Sequence, residues 1–460
     1  MKLSKSKKAN INYLAKIVEI SQFRKHSDPK VEKLKCCTID GFNIITSVDA
    51  KSGLYVYFPG GCCLNPDFLK YSNLYRKGEL NDNPKETGMF DENGRVKTIK
   101  LRGELSEGFI MPIIQLQNYI VSVTNKELDN CKVGIEFDIV EHEGKEFWIN
   151  KKYIPKNTRR QVETSKISKT TKKVKKGFDK IITSQFRFHY DTYILKKNPQ
   201  LIQPDDYIHI SEKIHGTSHI SAYVLCNRPA KWYEKCFELL TRREIDYTRY
   251  DYIYASRSVI KNQYYNKEVS SGYYKCDVWA EANKIIRPYL IKGMTVYAEI
   301  VGFLPNGGYI QKGYDYGCIP PKEGETYTHE IHFKVRVYRV TLTNVDGIVH
   351  EFSPREVALW CESVGLTPVT TYYYGLAKNL YPDLPIDSNW CEHFLERLSN
   401  DKNFYMELNS PSCNNKVPHE GIVIKKDNLS LNAVKVKCFK FINGEETALD
   451  KGEINIEDEA

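Results

Sequence analysis

The chain has 460 residues, 41% of them hydrophobic, with 67 Lys and Arg against 58 Asp and Glu and a formal net charge of +9. That is enough apolar chain for two or three domains with cores of their own, which excludes disorder as the default state. The charge is concentrated: Lys151 to Gly177 holds eleven of the basic residues and one acid, Glu163, so this segment carries +10 and the rest of the chain is about neutral.

A nearly neutral globular protein with one short cationic segment suits a polyanionic partner. No run reaches the roughly 18 apolar residues of a membrane span. The longest candidate, Gly108 to Val123, is interrupted by Pro112, Gln115, Gln117 and Asn118. Met1 to Asn10 is basic but no apolar core follows it, so no secretion signal is read there. The thirteen cysteines are an odd number, with two adjacent pairs (Cys36-Cys37, Cys62-Cys63) and no C-x-x-C. They read as thiols of a reducing, intracellular compartment, the cytoplasm, and not as a disulfide or zinc framework. The Lys, Asn and Ile bias matches an AT-rich genome of the kind some viruses carry.

In chain order, residues 1–150 read as an all-β module. Short apolar runs recur at Tyr13–Ile20, Cys36–Ile39, Asn43–Ser47, Leu54–Phe58, Ile99–Leu101, Gly108–Ile114, Gly134–Ile139 and Phe147–Ile149. Asp40-Gly41, Ser52-Gly53, Pro59-Gly60-Gly61 and Asn93-Gly94 supply turns between them. Many short strands with glycine turns imply a sandwich or small barrel. Between Arg95 and Gly103 polar and apolar residues alternate, so Arg95 and Lys97 are expected on one strand face, where they could track phosphates. Residues 151–177 are Lys, Thr, Ser and Arg with little to bury, a basic linker.

Residues 178–460 read as mixed α and β. Ser353 as N-cap, Pro354 at the first position, Glu356 completing a capping box and Gly365 as the stop mark one helix. Trp390, Phe394, Leu395 and Leu398 stripe a second, from about Asn389 to Ser399. Strands are expected at Tyr207–Ile210, His219–Leu225, Thr295–Val301, His332–Thr341, Gly421–Lys426 and Ala433–Phe441. Runs of strands with separate helices define an α+β domain on antiparallel sheets.

The chemistry centres on Ile210-Ser-Glu212-Lys213-Ile-His215-Gly216. Lys213 ends a short strand just before a glycine turn. A lysine amine attacks only when neutral, and burial beside other cations favours that form. Lys435 and Lys437, two apart on a strand, leave the same face while Val434, Val436 and Cys438 enter the core. Together they can hold a phosphate. Glu299 and Glu420 each interrupt or begin an apolar strand, positions suited to hard oxygen ligands for Mg²⁺ or Mn²⁺.

In this order the segments resemble the covalent nucleotidyltransferase superfamily of polynucleotide ligases and capping enzymes, and most of all its ATP-dependent RNA ligases. Lys213-Ile-His215-Gly216 is similar to motif I, Ser256-Arg257-Ser258 to motif Ia and Tyr297-Ala-Glu299-Ile-Val-Gly302 to motif III. Val335-Arg-Val-Tyr338-Arg-Val resembles motif IIIa, Glu420-Gly421-Ile-Val-Ile-Lys425 motif IV and Lys435-Val-Lys437 motif V. Phe186-Arg-Phe-His189-Tyr-Asp-Thr192, the Cys413–Gly421 stretch, Val56-Tyr-Phe-Pro59 and Arg95–Gly103 resemble the RNA ligases with an N-terminal OB-fold domain, family 5. The sequence departs from the pattern at Arg339, where these ligases often carry Asp after the aromatic. The linker and the Tyr-rich stretch from Arg242 to Tyr274 are longer than a minimal ligase needs.

The resemblance implies an OB-like barrel in residues 1–150 and an antiparallel-sheet nucleotidyltransferase domain, of the ATP-grasp-like ligase class, in 178–460. It implies that Lys213 takes AMP from ATP, passes it to an RNA 5′-phosphate, and that a 3′-OH then seals the strand. Lys213 is then catalytic, and Glu212, His215, Gly216, Arg257, Glu299, Tyr338, Lys435 and Lys437 bind the nucleotide. Tyr338 stacks on adenine, Glu299 holds the ribose, and Glu420, with Glu299, serves the metal. ATP and Mg²⁺ or Mn²⁺ are the implied cofactors, RNA the partner and a monomer the implied state. The alternatives are a GTP-dependent capping guanylyltransferase, against which His215 argues because that motif carries Asp, and a non-catalytic OB-fold RNA-binding protein. Neutralising Lys172, Lys173, Lys175 and Lys176 is expected to leave labelling of Lys213 by α-labelled ATP intact, while RNA sealing weakens and its salt dependence flattens; a salt titration of both activities checks this.

Overall fold

The computed structural model describes the chain except for residues 8, 155–180, 190, 246, 262–273, 275, 429–431 and 451–460, so most of the basic linker lies outside the described residues. The chain divides into two compact units. The first comprises Met1–Pro155, Tyr193–Leu201 and Ile442–Lys451; the second is built on Ile202–Phe441 with the described residues of 156–192.

In the first unit the glycine turns act as the sequence suggests. Asp40 and Gly41 both take positive φ (47° and 74°), the conformation a two-residue hairpin needs, and they join Leu34–Ile39 to Phe42–Ser47. Gly108–Pro112, Gly53–Pro59, Ala15–Ile20 and Glu136–Phe137 form a four-stranded antiparallel sheet, and Arg24–Lys25, Leu34–Ile39 and Phe42–Ser47 a second. Among the described residues these sheets are open and do not close into the expected barrel. Nor is the unit all β. The run expected as one strand, Gly108–Ile114, bends at Pro112 into a helix, Ile113–Thr124, that buries Ile113, Leu116, Tyr119 and Ile120 at helical spacing. Its apolar stripe joins Ile17, Val56, Phe58, Phe68 and Phe137 in one core.

The expected phosphate-tracking face of Arg95 and Lys97 is not formed. Arg95 is 3% exposed and its guanidinium pairs with Glu446 at 2.8 Å and Asp450 at 2.7 Å. Lys97 bridges Asp91 and Asp450, each at 2.9 Å. A buried guanidinium is stable only when paired, and carboxylates some 350 residues away supply the partners, which local alternation could not reveal. Burial pushes the Glu446 carboxyl up to about 7 in spite of Arg95.

The second unit is α+β on two antiparallel sheets. One runs Ile260–Lys261, Thr248–Ala255, Thr217–Asn227, Met294–Gly302, Phe333–Thr343, Val349–Glu351, with Thr367–Pro368 added in parallel to Phe333–Thr343. Its back is covered by the helix Val278–Ile286, which lays Val278, Trp279, Ala282 and Ile286 onto Val296, Ile300, Val335 and Val337. Such an aromatic anchor is worth about 3–5 kcal/mol against alanine. The capping box of Ser353 and Glu356 and the left-handed Gly365 (φ 70°) bound the helix Pro354–Val364, as the sequence indicates. Trp390–Ser399 is helical too, with its four stripe residues buried.

The second sheet runs Ala433–Lys437, Gly421–Lys426, Tyr207–Glu212, Thr371–Leu376. Here the expected strand to Phe441 is too long. It ends at Lys437, and a helix, Phe439–Asp450, begins because the Glu407 carboxylate accepts the free N–H groups of Phe439 and Lys440. No disulfide forms among the thirteen cysteines, and no described helix is long and apolar enough to cross a membrane.

Candidate active site

The site is built where three strands of the second sheet come into register. Tyr207–Glu212 pairs with Gly421–Lys426, burying Ile208 and Ile210, and the Lys213 N–H continues the ladder onto the Gly421 carbonyl at 2.9 Å. Gly421 lies directly opposite Lys437. A Cβ on Gly421 would stand 2.1 Å from the Val436 carbonyl, at φ +139°, so glycine is the residue that lets these strands approach.

That close approach gathers charge around Glu420. Its side chain is 1% exposed and one oxygen, Oε1, pairs with Lys213 Nζ and stands 3.5 Å from Lys437 Nζ. The other oxygen, Oε2, is buried without a hydrogen bond among the described residues, 3.9 Å from His215 Nδ1. His215 is fixed from three sides: its N–H donates to Tyr316 Oη at 2.7 Å, and its ring meets Tyr314 and Phe441 edge-on at 4.8 and 4.9 Å.

A second carboxylate, Asp191, pairs with Arg257 and lies 3.9 Å from Lys435 Nζ. Burial above all, with Lys437, Lys213 and Arg257 adding to it, brings the Lys435 amine down to about 8, against the pull of Asp191. Lys213, Lys435, Lys437 and Arg257 thus gather around the carboxylates of Glu420 and Asp191. Such a gathering of cations in a mostly buried setting is suited to an anion. His189 is kept neutral, its pKa lowered to about 3 by burial and by Arg339 and Arg257, and its ring stands edge-on to Tyr338 at 5.2 Å.

Tyr338, Glu299 and Gly216 belong to the face of the first sheet that carries Ser218 and Tyr297. Thr217–Asn227 and Met294–Gly302 are paired with Ser218 opposite Glu299. A Cβ on Gly216 would meet the Ile300 carbonyl at 2.4 Å and Glu299 Cγ at 2.8 Å, so the glycine allows the turn after Lys213 to press onto this strand. In Phe333–Thr343 the register shifts opposite Tyr297 and Ala298, leaving Tyr338 as the extra residue of a β-bulge. Tyr338 Oη then stands 3.5 Å from Ser218 Oγ.

The bulge also explains Arg339. It is 6% exposed, donates to both carboxylate oxygens of Glu351 (2.9 and 3.0 Å) and lies over the Tyr297 ring at 4.4 Å. Lys425 joins the same carboxylate at 3.2 Å. Arg339 is therefore a brace under the sheet, and the aromatic beside it remains Tyr338. Glu212 is turned elsewhere: burial raises its carboxyl pKa, Ser412 Oγ donates to it at 3.0 Å, and Arg336 is the charge acting on it. Sequence reasoning did not single out Asp191, Glu351, Tyr314 or Tyr316. Asp191 lay within a quoted motif, whereas Glu351, Tyr314 and Tyr316 carry no local signal.

No cluster of three or more His, Cys, Asp or Glu suited to a metal occurs among the described residues. A hard divalent ion would here rely on the orphaned Glu420 oxygen together with water and ligand oxygens, the mode Mg²⁺ favours.

No family model matches the chain, and no curated protein matches it in sequence. Solved structures do. An RNA ligase of Naegleria gruberi, as a variant with ATP and Mn, aligns with a TM-score of 0.53 at 14% identity, over 95% of this chain and 99% of that one. The same ligase with PPi gives 0.52 at 14% identity, over 95% and 100%. A further variant with AMP and Mn gives 0.50 at 14%, over 94% and 98%. At this identity the likeness is one of fold.

An anion settling beside Lys435 restores its affinity for a proton. Inorganic sulfate, which does not titrate in this range, should therefore bind with proton uptake that peaks between the amine's lowered pKa of about 8 and its ordinary value of about 10.4. Calorimetry in buffers of different ionisation enthalpy measures it, and Lys435→Met should abolish the uptake.

Proposed function

We propose that the chain is an ATP-dependent RNA ligase of the covalent nucleotidyltransferase type, joining RNA 3′-OH and 5′-phosphate ends through Lys213. The observation that carries the reading is Lys213 Nζ set against the buried Glu420, with Lys435, Lys437 and Arg257 around it. The ordered motifs and the fold shared with an RNA ligase solved with ATP and Mn support it.

In the first step the Lys213 amine attacks the α-phosphorus of ATP, an N–P bond forms, the bond to pyrophosphate breaks and the amine proton is lost. Attack requires the neutral amine, a form that the neighbouring cations favour and the paired Glu420 carboxylate opposes. Lys435 and Lys437 contact the α-phosphate, matching the charge that builds there. Glu299 holds the ribose, Tyr338 stacks on adenine, and Gly216 and His215 shape the turn around them. Glu212 acts through its place in the strand before Lys213. Glu420, acting through water, would hold a divalent ion, Mg²⁺ or Mn²⁺, which would supply neutralisation of the phosphates.

In the second step the RNA 5′-phosphate takes AMP from Lys213, with Arg257 on the phosphates of the terminus. In the third a 3′-OH displaces AMP. Each is an in-line displacement that needs alignment more than new chemistry. Residues 178–460 carry this reaction, residues 1–150 form an OB-like module that holds RNA, and 151–177 form the basic connection. The protein acts as a monomer.

A nicked RNA duplex with a 5′-phosphate should be sealed when ATP and Mg²⁺ are supplied and not with GTP, and Lys213→Ala should reduce sealing below detection. Labelling of the chain by α-labelled GTP in place of ATP would point to the capping reading, and RNA binding without any nucleotide adduct to the non-catalytic one.

A further inference from the structure

The Tyr-rich stretch that begins at Arg242 has no place in the reaction, yet its described part forms an ordered surface. Tyr250, Tyr252 and Tyr254 alternate along Thr248–Ala255 and so share one face. Tyr254 is used by the fold, donating to Asp277 at the N-cap of Val278–Ile286 at 2.9 Å. That helix ends at Arg287, and the other two tyrosines lie toward its far end. Tyr223 of the neighbouring strand stands directly opposite Tyr252, their rings parallel within 13° at 4.1 Å, and Tyr250 flanks Tyr223 at 5.6 Å. The Arg287 guanidinium lies over Tyr252 at 4.4 Å and Lys292 Nζ over Tyr250 at 5.4 Å.

The row is therefore Arg287, Tyr252, Tyr223, Tyr250, Lys292. The three rings are half-buried and the two cations exposed. Neither cation has a carboxylate partner among the described residues. Cross-strand packing alone explains the tyrosine pair but not two unneutralised cations resting on the outer rings. Exposed side chains are displaced at little cost: a base can take the ring face while the cation moves to the adjoining phosphate. Aromatic faces beside free cations match unstacked bases on a phosphate chain, and a duplex, whose base faces are covered, offers only half of that match.

We propose that this row is a stacking platform for a single-stranded stretch of RNA, lying apart from the residues that carry AMP transfer. The inference rests on the ligase reading for the identity of the polyanion. The test uses the full chain. Fluorescence anisotropy with labelled single-stranded RNA should show binding about tenfold weaker for the double variant Tyr250→Leu/Tyr252→Leu, which keeps apolar cover, with an unchanged salt slope. Tyr250→Phe/Tyr252→Phe should bind as the native chain does, since stacking needs the ring and not the hydroxyl. Arg287→Ala/Lys292→Ala should lower the salt slope by about 1.4, at about 0.7 for each phosphate contact on a single strand.

Labelling by α-labelled ATP should be unchanged in all of them, which reports that the fold is intact. Native affinity in the leucine variant, or an equal loss for blunt duplex RNA, overturns the platform. If the native chain takes no label yet binds single strands and the leucine variant does not, the ligase reading falls and the platform stands.

Discussion

Glu420 is the residue on which the site depends. A carboxylate with a side chain 1% exposed is expensive to bury unless it is paired, and it is paired with Lys213 and stands close to Lys437, which belong to strands far apart in sequence. The same charge therefore ties together the ends of the two strands that flank Gly421–Lys426 and fixes Lys213. Removing it would leave Lys213 and Lys437 facing each other with Lys435 and Arg257 nearby, an arrangement stable only with an anion in place.

The glycines and the bulge translate that electrostatic arrangement into geometry. Gly421 allows the Glu420 strand to lie against Val436, and Gly216 allows the chain after Lys213 to press on Glu299 and Ile300. The bulge at Tyr338 turns two consecutive side chains, Tyr338 and Arg339, to uses on the same sheet. The first stands by Ser218 and His189, and the second is locked into the buried Arg339, Glu351 and Lys425 triad.

What the sequence made legible were features with short-range causes. The alternation of Lys435 and Lys437 about Val436, the capped helix Pro354–Val364 and the glycine turn after Lys213 depend on neighbours within a few residues, and the structure has them. The expected positions failed where distant partners decide. Arg95 and Lys97 alternate like a solvated strand face, but Glu446 and Asp450 bury one and pair both. Phe439 and Lys440 continue a strand-like pattern until Glu407 caps a helix there. Asp191 pairs with Arg257, and Glu351 with Arg339 and Lys425, partners that lie well outside a local sequence window. The barrel expected from many short strands required knowledge of closure, which strand counting does not contain.

The central claim is that Lys213, and not one of the neighbouring lysines, is the covalent acceptor. Its most direct test is to incubate the full chain with ATP and Mg²⁺, digest under neutral conditions that preserve a phosphoramidate, and map the AMP adduct by peptide mass spectrometry. The account predicts a single modified peptide, with AMP on Lys213 and none on Lys435 or Lys437. An adduct on either of those lysines, or no adduct at all, would contradict it.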